Sequence, residues 1–209
     1  MRNTLGRTDT DAGSSGMDLR DQRAELERLG YTIVSESDNE VVGVLSKWYW
    51  DALVTKLTTV VFVRSLPVLT AADIRADSIR MTAATKGLDT SRLPQGLQKK
   101  RAAIAIYLAE TVQPDARQIC ESTQPIRLAA LFYPAAFEFS SRTALYSGAT
   151  PLWGGVFYAK LRYVVQRLLE PDVAPDKEPV SAFGVAMSAL VGTLLALGLA
   201  GLALAALRG

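Results

Sequence analysis

The sequence predicts a single α+β or α/β domain, built as a mixed β-sheet with helices packed on it, followed by one C-terminal transmembrane helix. Three observations predict this arrangement. Short runs of apolar and β-branched residues alternate with segments whose apolar residues recur at helical spacing. Turn residues, mainly Gly, Pro, Asp and Ser, separate these segments. Finally, residues 182–207 read AFGVAMSALVGTLLALGLAGLALAAL and contain no charged side chain.

These patterns divide the 209-residue chain into regions with different expected structures. Residues 1–16 are polar and are expected to be disordered, with Met17 as an alternative start of the protein. Residues 17–169 are long enough to form one domain with its own core. Residues 170–180 are rich in proline and acidic residues and read as an extended linker. Residues 181–207 form the expected transmembrane helix.

The first half of the domain is expected to contain one helix, then strands, then a second helix. The first helix covers residues 18–29, with aspartates at its N-terminal end and Gly30 as its stop. Pro67 is expected to end the third strand. Thr70 and Asp73 resemble a capping box, which starts a helix that runs to about residue 86. The strands of this half are expected at residues 31–36, 41–45 and 57–66.

The second half continues with alternating strands and helices. Its elements are expected as a buried strand at 102–108, a short helix at 115–122, strands at 126–139 and 142–148, and a helix from residue 156. Pro134 is expected to force a bulge or a break in its strand. In the last helix Phe157, Leu161 and Leu168 share an apolar face, and Lys160 falls outside that face.

Composition excludes several kinds of site. The chain has no histidine, so histidine-based catalytic triads and histidine metal ligands are impossible. Its single cysteine, Cys120, cannot form an intrachain disulfide or a cysteine-rich zinc site. A net charge of only +2 does not suggest nucleic-acid binding. Gly-rich nucleotide loops and nucleophile-elbow motifs are absent as well, so no cofactor, metal or catalytic residue is assigned.

The uncharged C-terminal run predicts a membrane anchor. Its 26 residues would form a helix of about 39 Å, which exceeds the roughly 30 Å hydrocarbon core of a bilayer. Because only Arg208 and Gly209 follow the run, insertion is expected after translation. The lipid bilayer is therefore the first expected partner.

Flanking charge predicts the orientation of this anchor. Basic residues near the ends of a span tend to stay in the cytoplasm, and four of them precede the run whereas one follows it. The preceding residues are Lys160, Arg162, Arg167 and Lys177. The N-terminus also lacks the apolar core of a signal peptide. We therefore expect a single-pass protein of the cell membrane with its N-terminal domain in the cytoplasm.

Small residues recur at every fourth position of the anchor. They are Gly184, Ser188, Gly192, Ala196 and Ala200. Such a stripe allows a second helix to approach closely, so it is a candidate face for a homo-oligomer or for another membrane protein. The alternative is that the stripe simply faces lipid.

Two local clusters are candidate interaction surfaces. Trp48, Tyr49 and Trp50 are consecutive aromatics on an extended segment, so their side chains must point to both faces of a sheet. They are either packing residues or a docking surface. Lys99, Lys100 and Arg101 form the most basic cluster and either contact anionic lipid headgroups or lie in a solvated loop.

These observations predict a tail-anchored membrane protein whose cytoplasmic domain is a non-catalytic binding, adaptor or sensor module. The alternative is a membrane-tethered enzyme that uses carboxylate or lysine chemistry on a lipid or peptide. Asp51 and Lys56 would be its best candidates for acid–base chemistry.

Overall fold

The structure is a computed structural model. The structure describes residues 17–49, 55–87, 99–122, 130–149, 155–175 and 177–179, and also 186, 189–190, 192–193 and 196–197. Within these residues it is an α+β domain with a six-stranded mixed sheet and four helices. In chain order the elements are α1 (Leu19–Arg28), β1 (Thr32–Glu36), β2 (Glu40–Tyr49), β3 (Thr55–Leu69), α2 (Ala71–Gly87), β4 (Lys99–Val112), α3 (Pro114–Glu121), β5 (Ala130–Glu138), β6 (Thr143–Tyr146) and α4 (Gly155–Leu169).

The strands lie side by side in the same order as they occur in the sequence. The central strands β3, β4 and β5 are parallel, whereas β1 and β2 on one side and β6 on the other pair antiparallel. A parallel pair needs a crossover, and α2 and α3 supply the two crossovers in this sheet. The fold therefore has one central parallel unit with a hairpin on each side.

Helices cover both faces of the sheet. On one face Ile74 and Met81 of α2 and Cys120 of α3 pack on the odd-numbered residues of β4, such as Tyr107. On the other face Leu26 of α1 and a row of α4 residues pack on the even-numbered residues of β4. Because both faces are covered, β4 is buried from Arg101 to Ala109, as is typical of a central parallel strand. The result is a three-layer arrangement with one apolar core on each side of the sheet.

Local signals place the helix starts as expected. The Asp18 carboxylate caps α1 by accepting hydrogen bonds from the backbone N–H groups of Arg20 and Asp21 at 2.8 and 2.9 Å. Thr70 and Asp73 form the predicted capping box at α2: the Asp73 N–H donates to Thr70 Oγ1 at 3.2 Å, and the Thr70 N–H donates to Asp73 Oδ2 at 3.0 Å. These bonds satisfy N–H groups that the first turn of a helix leaves without partners.

Two prolines behave differently from expectation. Pro67 does not end its strand, since β3 continues to Leu69, and Pro134 causes no register shift between β4 and β5. The reason is that each strand has a partner on only one side at that point. Beside β3, pairing with β2 ends at Arg64, and beside β5, pairing with β6 starts only at Ala135. A proline is tolerated on such an edge, where no neighbouring strand needs its N–H.

Candidate functional site

A cleft of about 940 Å³ lies near the carboxyl ends of the parallel strands, on the face that carries α1. Its floor comes from β2, β3, β4 and β5, and its walls come from the start of α1 and from the β1–β2 and β5–β6 turns. The lining residues are Met17, Asp18, Leu19, Arg20, Glu36, Ser37, Asp38, Val41, Ser65, Leu108, Phe137, Phe139 and Arg142. Open α/β sheets usually bind ligands at this end of their strands. We therefore take the cleft as the candidate binding site.

The β1–β2 turn is held firmly on one side of the cleft. The Ser37 N–H donates to the Glu40 carbonyl at 2.8 Å, and the Ser65 N–H donates to the Asn39 carbonyl at 2.9 Å. The first bond closes the turn, and the second fastens it to β3. Glu36 at the end of β1 accepts a hydrogen bond from Arg23 of α1 at 2.9 Å. This wall is therefore a fixed surface rather than a loose loop.

The β5–β6 turn on the other side is organised by the buried carboxylate of Glu138. This carboxylate accepts hydrogen bonds from the Val112 N–H at 2.8 Å, from Arg117 at 2.5 Å and from the Ser141 hydroxyl at 2.6 Å. The Ser141 bond and the Val112 bond lower the pKa of Glu138, and Arg117 lowers it further. A charged Glu138 thus joins β4, α3 and the turn at the edge of the cleft.

The same turn forces Arg142 into the left-handed region of backbone conformation, with φ of 52°. Residues other than glycine adopt this conformation at a cost of about 1–2 kcal/mol. The turn is fixed by the Phe139 N–H and the Ser140 N–H, which donate to the carbonyls of Ala109 and Glu110 at 2.9 and 3.0 Å. Strained backbone of this kind is frequent at functional sites, and here it holds an arginine at the mouth of the cleft.

The charges that line the cleft are not equally engaged. Asp18 caps α1, and Glu36 pairs with Arg23. Within the part of the chain that the structure describes, the guanidinium groups of Arg20 and Arg142 form no salt bridge. The lining also includes Phe137 and Phe139, whose rings meet edge to face with centroids 5.3 Å apart. The cleft therefore offers two arginines beside an aromatic surface, with the Asp38 carboxylate also in its lining, and the arginines suit a ligand with an anionic group next to an apolar one.

The predicted aromatic cluster is divided by the sheet. Trp48 lies on the face of α2 and α3 and is 45% exposed, whereas Tyr49 lies on the opposite face and is buried. The ammonium group of Lys160 lies 4.4 Å from the centroid of the Tyr49 ring. Tyr49 is thus a packing residue, and Trp48 is the exposed aromatic. Trp50 and Asp51 lie outside the described residues.

The predicted basic cluster begins β4 and is not a loop. Lys100 is half-buried, and its ammonium group lies 4.7 Å from the centroid of the Phe157 ring, while burial lowers its pKa. Arg101 is only 9% exposed and points to the other face. For Lys99 the structure describes the backbone alone. Contact of these residues with lipid stays a prediction.

Two expectations about the end of the domain differ from the structure. Lys160 was expected outside the apolar face of α4, but it is only 5% exposed. The linker was expected to be extended, but its start forms a turn in which the N–H groups of Val173 and Ala174 donate to the Glu170 carbonyl at 3.0 and 2.9 Å. The last described residues of the linker supply partners for the buried Lys160.

These partners are Glu178 and Pro179. Glu178 Oε1 lies 3.8 Å from Lys160 Nζ, and Glu178 Oε2 lies 2.6 Å from Lys47 Nζ. Lys160 also donates to the Pro179 carbonyl at 3.3 Å. The chain therefore leaves the domain at a fixed place, beside the end of β2.

Most of the expected anchor lies outside the described residues. Among the residues that the structure does describe, no helix is both long enough and apolar enough to cross a membrane. Of the small-residue stripe, Gly192 and Ala196 are described and are helical and exposed, while Gly184, Ser188 and Ala200 are not described. The anchor and its stripe stay predictions.

No protein-family model matches the chain, and no curated protein matches its sequence. In the described ranges, no cluster of three or more acidic or thiol side chains could hold a metal ion. Sequence reasoning missed the cleft because its lining residues are scattered over the chain. The one local signal was that turn residues follow β1 and β5, because both of these turns lie at the carboxyl ends of the parallel strands, beside the cleft.

Proposed function

We propose that the chain is a tail-anchored membrane protein whose cytoplasmic α+β domain is a binding module, acting as an adaptor or a sensor without catalysis of its own. The observation that carries the proposal is the cleft at the carboxyl edge of the sheet, with Arg20 and Arg142 at its rim and an aromatic floor. The uncharged run of residues 182–207 supports the anchor.

The state of the acidic residues supports binding rather than acid–base chemistry. Glu138 is held by three donors, and Asp77 on α2 accepts hydrogen bonds from Arg64 and Arg80 at 3.1 and 3.2 Å. Carboxylates held in this way join elements of the fold. The groups available to a ligand are instead the guanidinium groups of Arg20 and Arg142 at the rim of the cleft. They would recognise an anionic group of the ligand.

Binding in the cleft is tested by placing a photo-crosslinking amino acid at Phe139, which lines the cleft and is 36% exposed. The matched position is Ile79, which lies on α2 and is 72% exposed. We expect a crosslinked product from position 139 and none from position 79. Arg142→Gly should abolish the product, because it removes the guanidinium while suiting the backbone of the turn. Arg75→Ala, at an exposed arginine of α2, should leave the product unchanged. Equal crosslinking at both positions would refute the proposal.

The anchor is tested separately by carbonate extraction of membranes that contain the full chain. A chain that ends at residue 180 is the matched control, because it keeps the contacts of Glu178 with Lys47 and Lys160. We expect only the full chain to stay in the membrane pellet. Protease added to intact cells should leave the domain undigested if it is cytoplasmic.

The anchor is also proposed to contact a second membrane helix through its small-residue stripe, either in another copy of the chain or in a different protein. If the stripe is the contact face, Gly192→Leu should lower the yield of chemically crosslinked complexes of the membrane-anchored chain. An unchanged yield would assign the stripe to lipid.

A further inference from the structure

Basic residues of neighbouring strands lie together at the end of the sheet opposite the cleft, where the parallel strands begin. This end is called the basic edge. Trp48 on β2 pairs with Lys56 on β3, and Lys56 pairs with Lys99 on β4. Register partners lie on the same face of a sheet, and adjacent strands are about 4.8 Å apart. The three positions therefore form one short row, with an exposed tryptophan at its end.

The other face of the same edge is also basic. Lys47 lies on β2 with its side chain 50% exposed, and it pairs in register with Leu57, which in turn pairs with Lys100. Lys160 approaches from α4. Among the described residues at this edge, Glu178 is the carboxylate that these lysines contact. Among its described residues, the edge thus carries more lysines than carboxylates.

The opposite edge, which holds the cleft, contains many acidic residues. They include Glu36, Asp38, Glu40, Glu110 and Glu138, at the ends of strands or in the turn between them. Glu36, Glu40 and Glu138 pair there with Arg23, Arg80 and Arg117. Among the described residues, the domain therefore has lysines at one end of its strands and carboxylates largely paired with arginines at the other.

The path of the chain ties the basic edge to the anchor. Pro179 is held by Lys160 at this edge, and the uncharged run begins at about residue 182. Three residues reach at most about 10 Å even when fully extended. That is close to the Debye length of about 8 Å at physiological ionic strength, so lysines at this edge would still attract anionic headgroups.

Given the proposed membrane anchor, on which this inference rests, we infer that the basic edge lies against a surface of anionic phospholipids. The row of sheet positions 48, 56 and 99 faces the headgroups, and the cleft faces away from the bilayer. Each lysine near such a surface contributes about 1 kcal/mol of attraction, and tryptophan is favoured in the headgroup region. The lipid surface thereby fixes which way the cleft is presented.

The test uses the full chain, reconstituted into vesicles of phosphatidylcholine alone or with phosphatidylserine. In a Cys120→Ala background, a fluorescent label is placed at Lys56→Cys or, at the opposite edge, at Asp38→Cys. Lipids with a nitroxide on the headgroup then quench any label that lies at the membrane surface. We expect several-fold stronger quenching at position 56 than at position 38 in the anionic vesicles. The difference should shrink in the neutral vesicles and at about 1 M salt, where the Debye length falls to about 3 Å.

Trp48→Cys supplies an independent label site in the same row, should Lys56→Cys fail to fold. Equal quenching at the two edges in a chain that floats with the vesicles would overturn this orientation and leave the anchor standing. A chain that does not float would overturn the anchor itself, and with it this inference. Quenching at position 56 that depends on neither lipid charge nor salt would also overturn the proposal. The edge would then be held at the membrane by something other than charge attraction.

Discussion

The contact of Glu178 with two lysines allows a sharp test of where the chain leaves the domain. Lys47 lies 2.6 Å from this carboxylate, and Lys160 lies 3.8 Å from it. The distances alone would favour the Lys47 pair. Burial favours the Lys160 pair, since the Lys160 side chain is 6% exposed whereas that of Lys47 is 50% exposed. We expect the more buried pair, Lys160 with Glu178, to have the larger coupling energy.

The expected magnitudes follow from the environment of each pair. Two unit charges about 4 Å apart near a protein surface attract by about 4 kcal/mol before desolvation is subtracted. Removing Glu178 would leave the buried Lys160 ammonium with fewer partners, although the Pro179 carbonyl and the Tyr49 ring remain. We therefore expect a coupling energy of about 1–2 kcal/mol for Lys160 with Glu178. For the exposed Lys47 we expect about 0.2–1 kcal/mol.

Double-mutant cycles measure both couplings. Lys160→Met and Lys47→Met are each combined with Glu178→Gln, and unfolding by urea is followed in mild detergent. The cycle cancels any other contact that Lys160 makes, because that contact is lost in both arms. Salt at about 0.5 M should weaken the Lys47 coupling more than the Lys160 coupling. A larger coupling for Lys47, or no coupling for either lysine, would refute the docked position of Glu178 and with it the fixed exit of the chain.

Three further predictions concern buried groups. The Tyr107 hydroxyl is buried and makes no hydrogen bond of good geometry among the described residues, and burial and the nearby Asp77 carboxylate both raise its pKa. Tyr107→Phe should therefore raise the unfolding free energy by about 1 kcal/mol; a loss of stability would show instead that Asp77 accepts its hydrogen bond. The pKa of Glu138 is held below its ordinary value of 4.5, so its contribution is complete above that value and is lost as the pH falls through the folded pKa. Glu138→Gln should therefore lower stability by about 1–3 kcal/mol at pH 7 and flatten the acid limb of a urea-midpoint titration; parallel acid limbs for the two proteins would contradict this. Burial raises the pKa of Cys120 to about 12, so a water-soluble maleimide at pH 7.5 should label it only after unfolding, and rapid labelling of the folded chain would show that α3 opens.

The order of helices and strands could be predicted from the sequence, because each element carries its own local signal. The capping box at Thr70 and Asp73 and the uninterrupted apolar run of β4 are examples. The strand order and the parallel centre were not predicted, since neither depends on local pattern. The prolines show the same limit: whether Pro67 or Pro134 breaks a strand depends on which side has a neighbour, and that is a property of the whole sheet.

The candidate site was less accessible to sequence reasoning. Lys160 was expected outside the apolar face of α4, and its burial depends on partners that include the Glu178 carboxylate and the Pro179 carbonyl, which no local pattern reveals. The cleft combines residues near position 18 with residues near position 142, so no window of sequence contains it. The basic cluster, by contrast, was visible as a run, but its division between the two faces of the sheet required the register of β4.

The sequential strand order has a consequence for how the domain is made on the ribosome. Every strand pairs with one synthesised just before it, so the sheet can grow by one strand at a time as the chain emerges. Helix α1 is the exception, because the Gln22 side chain donates to the Leu168 carbonyl, 146 residues later. Until α4 appears, the apolar side of the first helix has no helical neighbour to shield it. The nascent domain would therefore expose that surface to chaperones until its last helix closes against its first.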